Sequence, residues 1–198
     1  MKHILRTLLA AAAVAALVPT AQAATITING EWSVADPVVN PRPLRDGTPS
    51  SCASSSAFPG TLAGNYAVDT YTLYNNSGTA DCITVTHLSN SVNAALFVQA
   101  YSGANVNVTN LASISGLYLG DGGSSGLPIS FSFLAPAYSA FTLAAFSADG
   151  LGTYGFSVEG MNIAYNPTTR SDVPEPASFA LLAIAGAAGL LSRRRQRN

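Results

Sequence analysis

The sequence predicts an all-β protein: an antiparallel, jelly-roll-like β-sandwich flanked by an N-terminal signal peptide and one short C-terminal transmembrane helix. Three observations predict this order. Between the two ends, apolar residues recur in short, mostly alternating runs bounded by Gly, Asn, Ser and Pro, which is typical of strands. A short apolar run follows basic residues at the N-terminus. A second uncharged apolar run precedes an arginine cluster at the C-terminus.

The first 23 residues have the pattern of a signal peptide. Basic residues precede an apolar run over residues 8–18. Ala21-Gln22-Ala23 then supplies the small residues that signal peptidase requires, which predicts cleavage between Ala23 and Ala24. The alternative, an N-terminal transmembrane helix, is disfavoured because the apolar run is too short to span a bilayer.

The body is expected to contain eight strands and to form one domain, residues 24–171. The strands are predicted at residues 25–34, 68–74, 82–88, 94–101, 114–119, 129–134, 140–147 and 153–159. Residues 75–78 and 149–152 hold the Asn, Asp and Gly that tight turns need, so both are predicted to close hairpins. Residues 36–64 are rich in Pro, Ser and Gly and are predicted to be one long loop.

Alternation predicts which side chains face the core. Phe131 and Phe133 share one face of their strand, with serines on the other, and Tyr154, Phe156 and Val158 repeat the pattern. Such faces need a partner sheet, and several short strands at this spacing favour a sandwich.

Cys52 and Cys82 are the two cysteines of the chain. In an oxidising compartment an even pair predicts a disulfide, here one that fastens the long loop to a strand. A reactive thiol or a metal pair is the disfavoured alternative, because no second His or Cys stands near to complete such a site.

Charge limits the partners of the body. Residues 24–171 hold three arginines and no lysine against eight acidic residues, a formal net charge of −5. Nucleic acid is therefore not an expected partner, since phosphate neutralisation needs a basic surface.

The C-terminal tail, residues 172–198, has three parts: Val173-Pro174-Glu175-Pro176, an apolar run over residues 177–191, and a basic end over residues 192–198. As a helix the apolar run would span about 23 Å, a short crossing of a hydrocarbon core about 30 Å thick. By the positive-inside rule the arginines stay in the cytoplasm and the body lies outside it. These arginines are Arg193, Arg194, Arg195 and Arg197.

These residues resemble the PEP-CTERM sorting tail of Gram-negative bacteria. The resemblance implies that an exosortase recognises the tail at the inner membrane, and that the body passes on to the cell envelope or the extracellular (biofilm) matrix, where polysaccharide is a possible partner. An ordinary C-terminal anchor with a stop-transfer cluster is the alternative.

Residues 66–78 and 81–85 resemble the opening of a bacterial pre-peptidase C-terminal-like β-sandwich, and residues 118–122 and 154–160 are similar to its later landmarks. The resemblance covers residues 64–160. It implies a non-catalytic accessory module. The further cysteines that members often carry are absent.

Catalysis is not expected, and neither a cofactor nor a metal is predicted. His87 is the sole histidine outside the signal peptide and shares strand parity with core residues, which indicates a buried structural role. Glu31 and Glu159 are the acids weighed for a glycosidase pair, but surface solubility explains them as well. The turns at Asp121 and Asp149 are weighed as calcium ligands, but neither alone supplies enough oxygens.

Two functions remain: a non-enzymatic envelope or matrix protein, which is favoured, and a carbohydrate- or calcium-binding module. Exposed aromatic rings would favour sugar binding. The candidate rings are Trp32, Tyr101, Tyr118 and Tyr138. Thr-x-Thr steps at residues 25/27, 70/72 and 84/86 would place hydroxyls on strand faces, as an ice-binding surface does, although exposed threonines are common on strands.

Overall fold

Strands dominate the computed structural model, which describes residues 23–54, 57–90, 95–109, 114–125 and 129–165. All of these residues belong to one compact unit, Gln22–Pro167. The strands are β1 (Ala24–Trp32), β2 (Val38–Val39), β3 (Arg42–Pro43), β4 (Thr61–Leu62), β5 (Tyr66–Asn75), β6 (Asp81–Asn90), β7 (Leu96–Ser102), β8 (Tyr118–Asp121), β9 (Ser130–Ala135), β10 (Ser139–Ser147), β11 (Gly152–Gly160) and β12 (Ile163–Ala164). A 3-10 turn, Ser115–Leu117, precedes β8.

Seven of the eight predicted strands are found within two residues at each end. The exception is the strand predicted at residues 114–119, which is wrong in its first half. Ile114 is buried in a hydrophobic cluster, Ser115–Leu117 form the 3-10 turn, and pairing begins at Tyr118. Ser115 and Gly116 have weak strand preference, so the chain turns there before it pairs.

The strands form two antiparallel sheets and a small ribbon. The first sheet has the order β1-β11-β6-β9 and the second β12-β5-β10-β7-β8, with β2 paired to β5 and β3 paired to β4. Every pairing is antiparallel. The predicted all-β class with antiparallel sheets is therefore confirmed, and the two sheets are compatible with the predicted sandwich.

Most connections cross from one sheet to the other. Of the seven connections between the eight strands of four residues or more, six change sheet and one, β7 to β8, joins neighbours. The two predicted hairpins, at residues 75–78 and 149–152, are therefore wrong, since each of these turns links the two sheets. Turn residues specify a reversal of the chain, but they do not specify which strand pairs with which.

One of the crossing turns is tied to both layers by a single side chain. The Nδ2 group of Asn75, at the end of β5, donates to the carbonyls of Ala135 at 3.1 Å and Pro136 at 2.9 Å. It also donates to Thr79 O at 3.1 Å inside the turn. Because Ala135 ends β9 in the opposite sheet, this fully buried amide joins the two layers.

The main core lies between the sheets and uses the alternating faces that the sequence predicts. Phe131, Phe133, Phe156 and Val158 are all at most 2 % exposed and belong to one cluster. Each large apolar side chain buried in this way contributes roughly 1.5–3 kcal/mol. The cluster also holds Leu73, Leu96, Val98, Phe141 and Leu143 from the second sheet.

A second apolar cluster covers the outer face of the second sheet. Phe97, Tyr101 and Phe146 point outward and are capped by residues from the connecting segments, including Val39 and Val108. The segment predicted as one long loop, residues 36–64, therefore has regular structure and a part in the core. It contains β2, β3 and β4, and it places Val39 in this cluster.

Candidate functional site

The predicted disulfide is present. Cys52 and Cys82 are bonded at 1.97 Å between their sulfurs, with a Cα–Cα distance of 5.8 Å. Cys82 lies at the start of β6. The bond therefore fastens the segment that ends at Cys52 to the first sheet. We call residues 47–52 the clamp segment.

The clamp segment hydrogen-bonds to the edge strands of both sheets. Ser50 N donates to Asp121 O at 2.9 Å on β8, and Ser132 N, on β9, donates to Ser50 O at 3.0 Å. Cys52 N donates to Ser132 Oγ at 3.1 Å. Since β8 and β9 end the second and first sheets, the segment closes one lateral edge of the sandwich. Exposed edges are templates for unwanted pairing, so this cover also limits aggregation.

Gly123 permits this close approach. Its φ of +64° is in the left-handed region, and a Cβ there would lie 2.4 Å from Thr48 N, a backbone atom of the clamp segment. A side chain at this position would therefore push the segment away from β8.

Beneath the clamp segment lies a buried polar cluster centred on Asp121, which is 1 % exposed. Its Oδ2 accepts hydrogen bonds from Gln99 Nε2 at 2.7 Å and Tyr118 Oη at 2.6 Å, and its Oδ1 accepts from Gly123 N at 2.6 Å. Tyr101 Oη donates to Gln99 Oε1. Burial raises the pKa of the Asp121 carboxyl, and the hydrogen bonds it accepts oppose that shift. The carboxyl thus accepts three hydrogen bonds from protein donors.

Replacing Tyr118 with phenylalanine is expected to lower the free energy of unfolding by about 1 to 2 kcal/mol, because Asp121 would lose one of its donors while remaining buried. Equilibrium denaturation of the two chains measures the difference. Tyr74→Phe is the control, since the half-buried Tyr74 hydroxyl has no hydrogen-bond partner among the described residues. Equal stability of all three chains would show that Asp121 does not depend on the Tyr118 hydroxyl.

A cleft of about 310 Å³ opens beside the disulfide. Its lining residues are Ser51, Cys52, Ala53, Tyr118, Leu119, Phe133 and Leu134. One wall is therefore the half-buried ring of Tyr118, and another is the exposed side chain of Leu134, which has 51 % of its surface in solvent. The lining is part aromatic and part polar, a composition that can contact a small ligand.

The structure corrects the predicted set of sugar-stacking rings. Trp32 is 1 % exposed and stacks on Tyr154 at 4.1 Å, with its Nε1 donating to Ala145 O at 3.1 Å. Tyr101 has no exposed surface. Both are therefore core residues. Trp32, on β1, belongs to the main core, and Tyr101, on β7, belongs to the second cluster. Of the other two candidates, Tyr118 lines the cleft and Tyr138 is 64 % exposed.

A further polar chain, which the sequence did not indicate, lies at the margin of the core. Tyr71 Oη and Tyr154 Oη are 2.5 Å apart, and Tyr154 Oη donates to Asp69 Oδ2. Burial raises the pKa of the Asp69 carboxyl. Alternation on β5 places Asp69 and Tyr71 on the inward face, which was readable, but their partner on β11 depends on the pairing of the sheets.

His87 is buried as predicted, with 2 % of its surface exposed. Neither ring nitrogen has a hydrogen-bond partner within the described residues. Burial lowers the pKa of the imidazole to about 4. Its Cε1 lies near Gly122, where an added Cβ would be 3.7 Å away. The ring is thus a neutral core side chain, and no described carboxylate orients it as a catalytic base.

The two glutamates considered as a glycosidase pair, Glu31 and Glu159, are far apart. Glu159 pairs with Thr25 and Glu31 pairs with Thr153, so six strand positions separate them along β1. At about 3.3 Å per residue this is roughly 20 Å, whereas glycosidase pairs lie about 5 to 10 Å apart. They do not form such a pair.

Calcium ligation is also not supported by the two Asp turns. The described residues hold no group of three or more His, Cys, Asp or Glu side chains that could bind a metal ion. Asp121 already accepts three protein hydrogen bonds, and Asp149 lies on an exposed turn.

The outer face of the first sheet carries rows of hydroxyls. Thr27, Ser157, Thr86 and Ser130 are consecutive partners across its four strands. Thr86 and Ser130 bond each other at 2.8 Å. The step at residues 70/72 lies on β5 in the other sheet, so the three predicted Thr-x-Thr steps do not share one face.

Arg42 is a buried cation that sequence reasoning missed. It is 2 % exposed, and its guanidinium lies 4.7 Å from the ring centroid of Tyr66 and 5.9 Å from that of Phe97. Nη1 donates to Pro43 O at 2.6 Å. Desolvation, with a smaller effect of Arg45, lowers the pKa of Arg42. Aromatic faces stabilise this cation, but no local pattern signals such contacts.

The predicted sorting motif, transmembrane segment and basic end lie outside the described residues, as does the signal peptide apart from its last residue. At the predicted cleavage point, Ala23 is exposed and Ala24 begins β1. Within the described ranges, no helix is long and apolar enough to cross a membrane.

Residues 172–196 match the PEP-CTERM protein-sorting motif. The match includes Val173, Pro174, Glu175 and Pro176, the apolar run, and Arg193 to Arg195. Comparison with the curated proteins gives no match.

Several solved structures have a partial likeness to the chain. The pre-peptidase C-terminal domain of a collagenase from Bacillus anthracis is 20 % identical with a TM-score of 0.35, over 68 % of this chain and 88 % of that one. The K1 cleaved adhesin domain of Lys-gingipain from Porphyromonas gingivalis W83 is 8 % identical with a TM-score of 0.28, over 69 % and 97 %. The VP2 subviral particle of infectious bursal disease virus is 10 % identical with a TM-score of 0.30, over 71 % and 33 %. At these values no property of the three transfers to this chain.

Proposed function

We propose that the chain is an exported β-sandwich protein that an exosortase sorts at the inner membrane of a Gram-negative bacterium. The observation that carries the proposal is the match of residues 172–196 to the PEP-CTERM motif. In the sequence, the Pro-Glu-Pro segment, the apolar run and the arginine cluster follow one another in the order that such sorting needs. The apolar run anchors the chain, and the segment before it stays accessible to the exosortase because its prolines disfavour helix.

The body supports an extracytoplasmic location. β1 begins at Ala24, so removal of residues 1–23 leaves the sandwich complete. The Cys52–Cys82 disulfide is of a kind that persists in oxidising compartments. The domain boundaries that follow are a signal peptide over residues 1–23, the sandwich domain over residues 24–171 and the sorting tail over residues 172–198.

We also infer that the sandwich is a jelly roll. When the eight strands of four residues or more are numbered in chain order, the first sheet runs 1-8-3-6 and the second 2-7-4-5. This interleaving of early and late strands in two four-stranded sheets is the arrangement of a double Greek key.

A non-enzymatic role in the envelope or the extracellular matrix fits this body. Among the described residues, His87 is buried without a hydrogen-bonding partner, the candidate glutamates are far apart, and the Asp121 carboxyl accepts three hydrogen bonds from protein donors. None of these three candidates is therefore arranged for catalysis. Polysaccharide is the partner that the matrix destination implies.

Carbohydrate binding is the second candidate. The observation that favours it is the cleft beside Tyr118, whose ring offers a stacking surface next to polar backbone. Calcium binding, the other form of this alternative, has no such support among the described residues.

Replacement of Pro174-Glu175-Pro176 by three alanines is expected to leave export intact and to trap the protein in the inner membrane, because the exosortase would lose the segment it reads. Fractionation of a host that carries an exosortase, with intact mass of the released protein, measures this. The released native form should begin at Ala24 and end near residues 173–176.

The matched control replaces Thr168-Thr169-Arg170 by alanines, which alters the same connecting segment outside the motif. This control should be released as the native chain is. Unchanged release of the Pro-Glu-Pro variant would contradict the sorting proposal, and failure of both variants to be released would indicate a general requirement for the connecting segment.

A further inference from the structure

The first strand of the described body and its last strand both begin at the same end of the sandwich. β1 begins at Ala24 opposite Gly160, the last residue of β11. Asp81 pairs with Ala135 at this same end of the first sheet. In the second sheet, β12 begins with Ile163 opposite the last residue of β5. We call this end the chain-end pole.

Three turns meet at the chain-end pole and bond to one another. Asn76 N donates to Asn162 O at 2.9 Å, which joins the turn after β5 to the turn after β11. Tyr138 N donates to Ser77 O at 3.1 Å, which adds the turn after β9. Met161 N donates to Asp81 Oδ2 at 2.6 Å. The three turns therefore form one surface and not three separate loops.

This surface exposes large apolar side chains. Tyr138 is 64 % exposed and Met161 is 52 % exposed. Tyr165, 45 % exposed, lies outside this surface, because β12 runs from the pole back along β5 and Tyr165 follows it on the lateral edge. Tyr138 holds its position with a φ of +49°, a left-handed conformation that bulky residues rarely adopt unless the surroundings impose it.

The positions of the described charged residues permit contact between the pole and an apolar surface. Asp81 is 5 % exposed and uses its carboxylate to accept from Met161 N, and Glu159 is the exposed acid nearest to the pole. The described cations Arg42 and Arg45 lie toward the other end, Arg42 over the first residue of β5 and Arg45 bonded to Ser125. Tyrosine is enriched where proteins meet the interfacial region of membranes.

The short connection after Tyr165 indicates that the partner of the pole is the membrane. Eleven residues separate Tyr165 from Ala177, where the apolar run begins. Fully extended, this connection reaches about 40 Å. A body tethered this closely meets its own membrane at a high effective concentration, so that a contact too weak for the free protein becomes populated.

We propose that the chain-end pole docks on the bilayer that the chain's own apolar tail enters, with Tyr138 and Met161 in the interfacial region. This inference rests on the membrane anchoring in the proposed function. Cleavage in the connecting segment removes the tether and with it the effective concentration, so the contact reverses and the body can leave. The docking thereby presents the connecting segment at the membrane surface before cleavage and does not retain the product after it.

The test uses the chain from Ala24 to Asn198 in vesicles of phosphatidylethanolamine and phosphatidylglycerol that contain lipid brominated near the headgroup. Tyr138→Trp places an indole at the pole, and Val34→Trp places one just beyond the other end of β1, where Val34 is 93 % exposed. The native Trp32 is buried and gives a constant background. We expect at least twofold stronger quenching of Tyr138→Trp than of Val34→Trp. Adding Met161→Ser to Tyr138→Trp should reduce that quenching by half or more.

Each other outcome overturns the inference. Chains that float with the vesicles while both indoles stay unquenched would leave the anchor standing and remove the docking. Chains that do not float would remove both the anchor and the docking. Equal quenching at the two positions would show that no particular end faces the lipid. An indole at position 138 that is blue-shifted but unquenched would assign the surface to a contact with a second copy of this chain.

Discussion

A chain with both Cys52 and Cys82 replaced by serine is expected to lose about 3 to 4 kcal/mol of unfolding free energy. In the chain-entropy model this is the effect of releasing a loop whose ends are 30 residues apart. A body of this size has a total stability of roughly 5 to 15 kcal/mol, so the loss is a large share of it. Equilibrium denaturation of the oxidised native body and of the double variant measures the difference.

Local unfolding of the variant should begin at the lateral edge that the clamp segment covers. Without the bond, the segment is held only by hydrogen bonds such as Ser50 N to Asp121 O and Ser132 N to Ser50 O. Hydrogen exchange of these amides should accelerate before that of the main core. Reduction of the native body with dithiothreitol is the control, since it should bring the native chain to the stability of the variant. Equal stability of the variant and the oxidised body would contradict the prediction.

The stability of the native body should also fall with acid because of His87. Burial places the folded pKa at about 4, below the ordinary value of 6.5. The unfolded chain therefore binds more protons than the folded chain between these two values, and stability is lost as the pH falls through this window. Above pH 7 the imidazole is neutral in both states and contributes no pH dependence. At pH 4 the loss is about 3 kcal/mol, at 1.36 kcal/mol for each pKa unit.

His87→Phe isolates this effect, because it keeps a ring in the core and removes the titrating group. Asp69 and Asp121 act in the opposite direction, since burial raises their pKa values and favours the folded state in acid. The measured quantity is therefore the free energy of unfolding of the native body minus that of the variant. Equilibrium denaturation gives this difference at each pH from 8 to 4. A constant difference across this range would show that His87 gains a partner or water when it is protonated.

Much of the fold was predictable because alternation is a local property of the sequence. Phe131 and Phe133 on one strand, and Phe156 and Val158 on another, occupy every second position, and any antiparallel arrangement with one buried face must turn them inward. The disulfide was predictable from cysteine number and compartment. Neither inference needs knowledge of which strands are neighbours.

The pairing itself was not predictable from the same signals. Asn75 and the residues after it form a good turn, but the following strand joins the opposite sheet. That choice depends on which faces must be buried across the whole body. The Asp121 cluster shows the same limit, since Gln99, Tyr118 and Asp121 meet only after β7 and β8 pair and the clamp segment covers them.

The pairing of the first strand with the last long one has a consequence for the timing of folding. Ala24 lies opposite Gly160, so the first sheet cannot be completed until almost the whole body is available. Long-range pairing of this kind makes folding slow. During secretion that proceeds from the N-terminus, the chain would remain unfolded, and so able to pass a narrow channel, until residue 160 emerges. Only sixteen residues then separate it from the apolar run that begins at Ala177, so folding of the body and arrival of the anchor would nearly coincide.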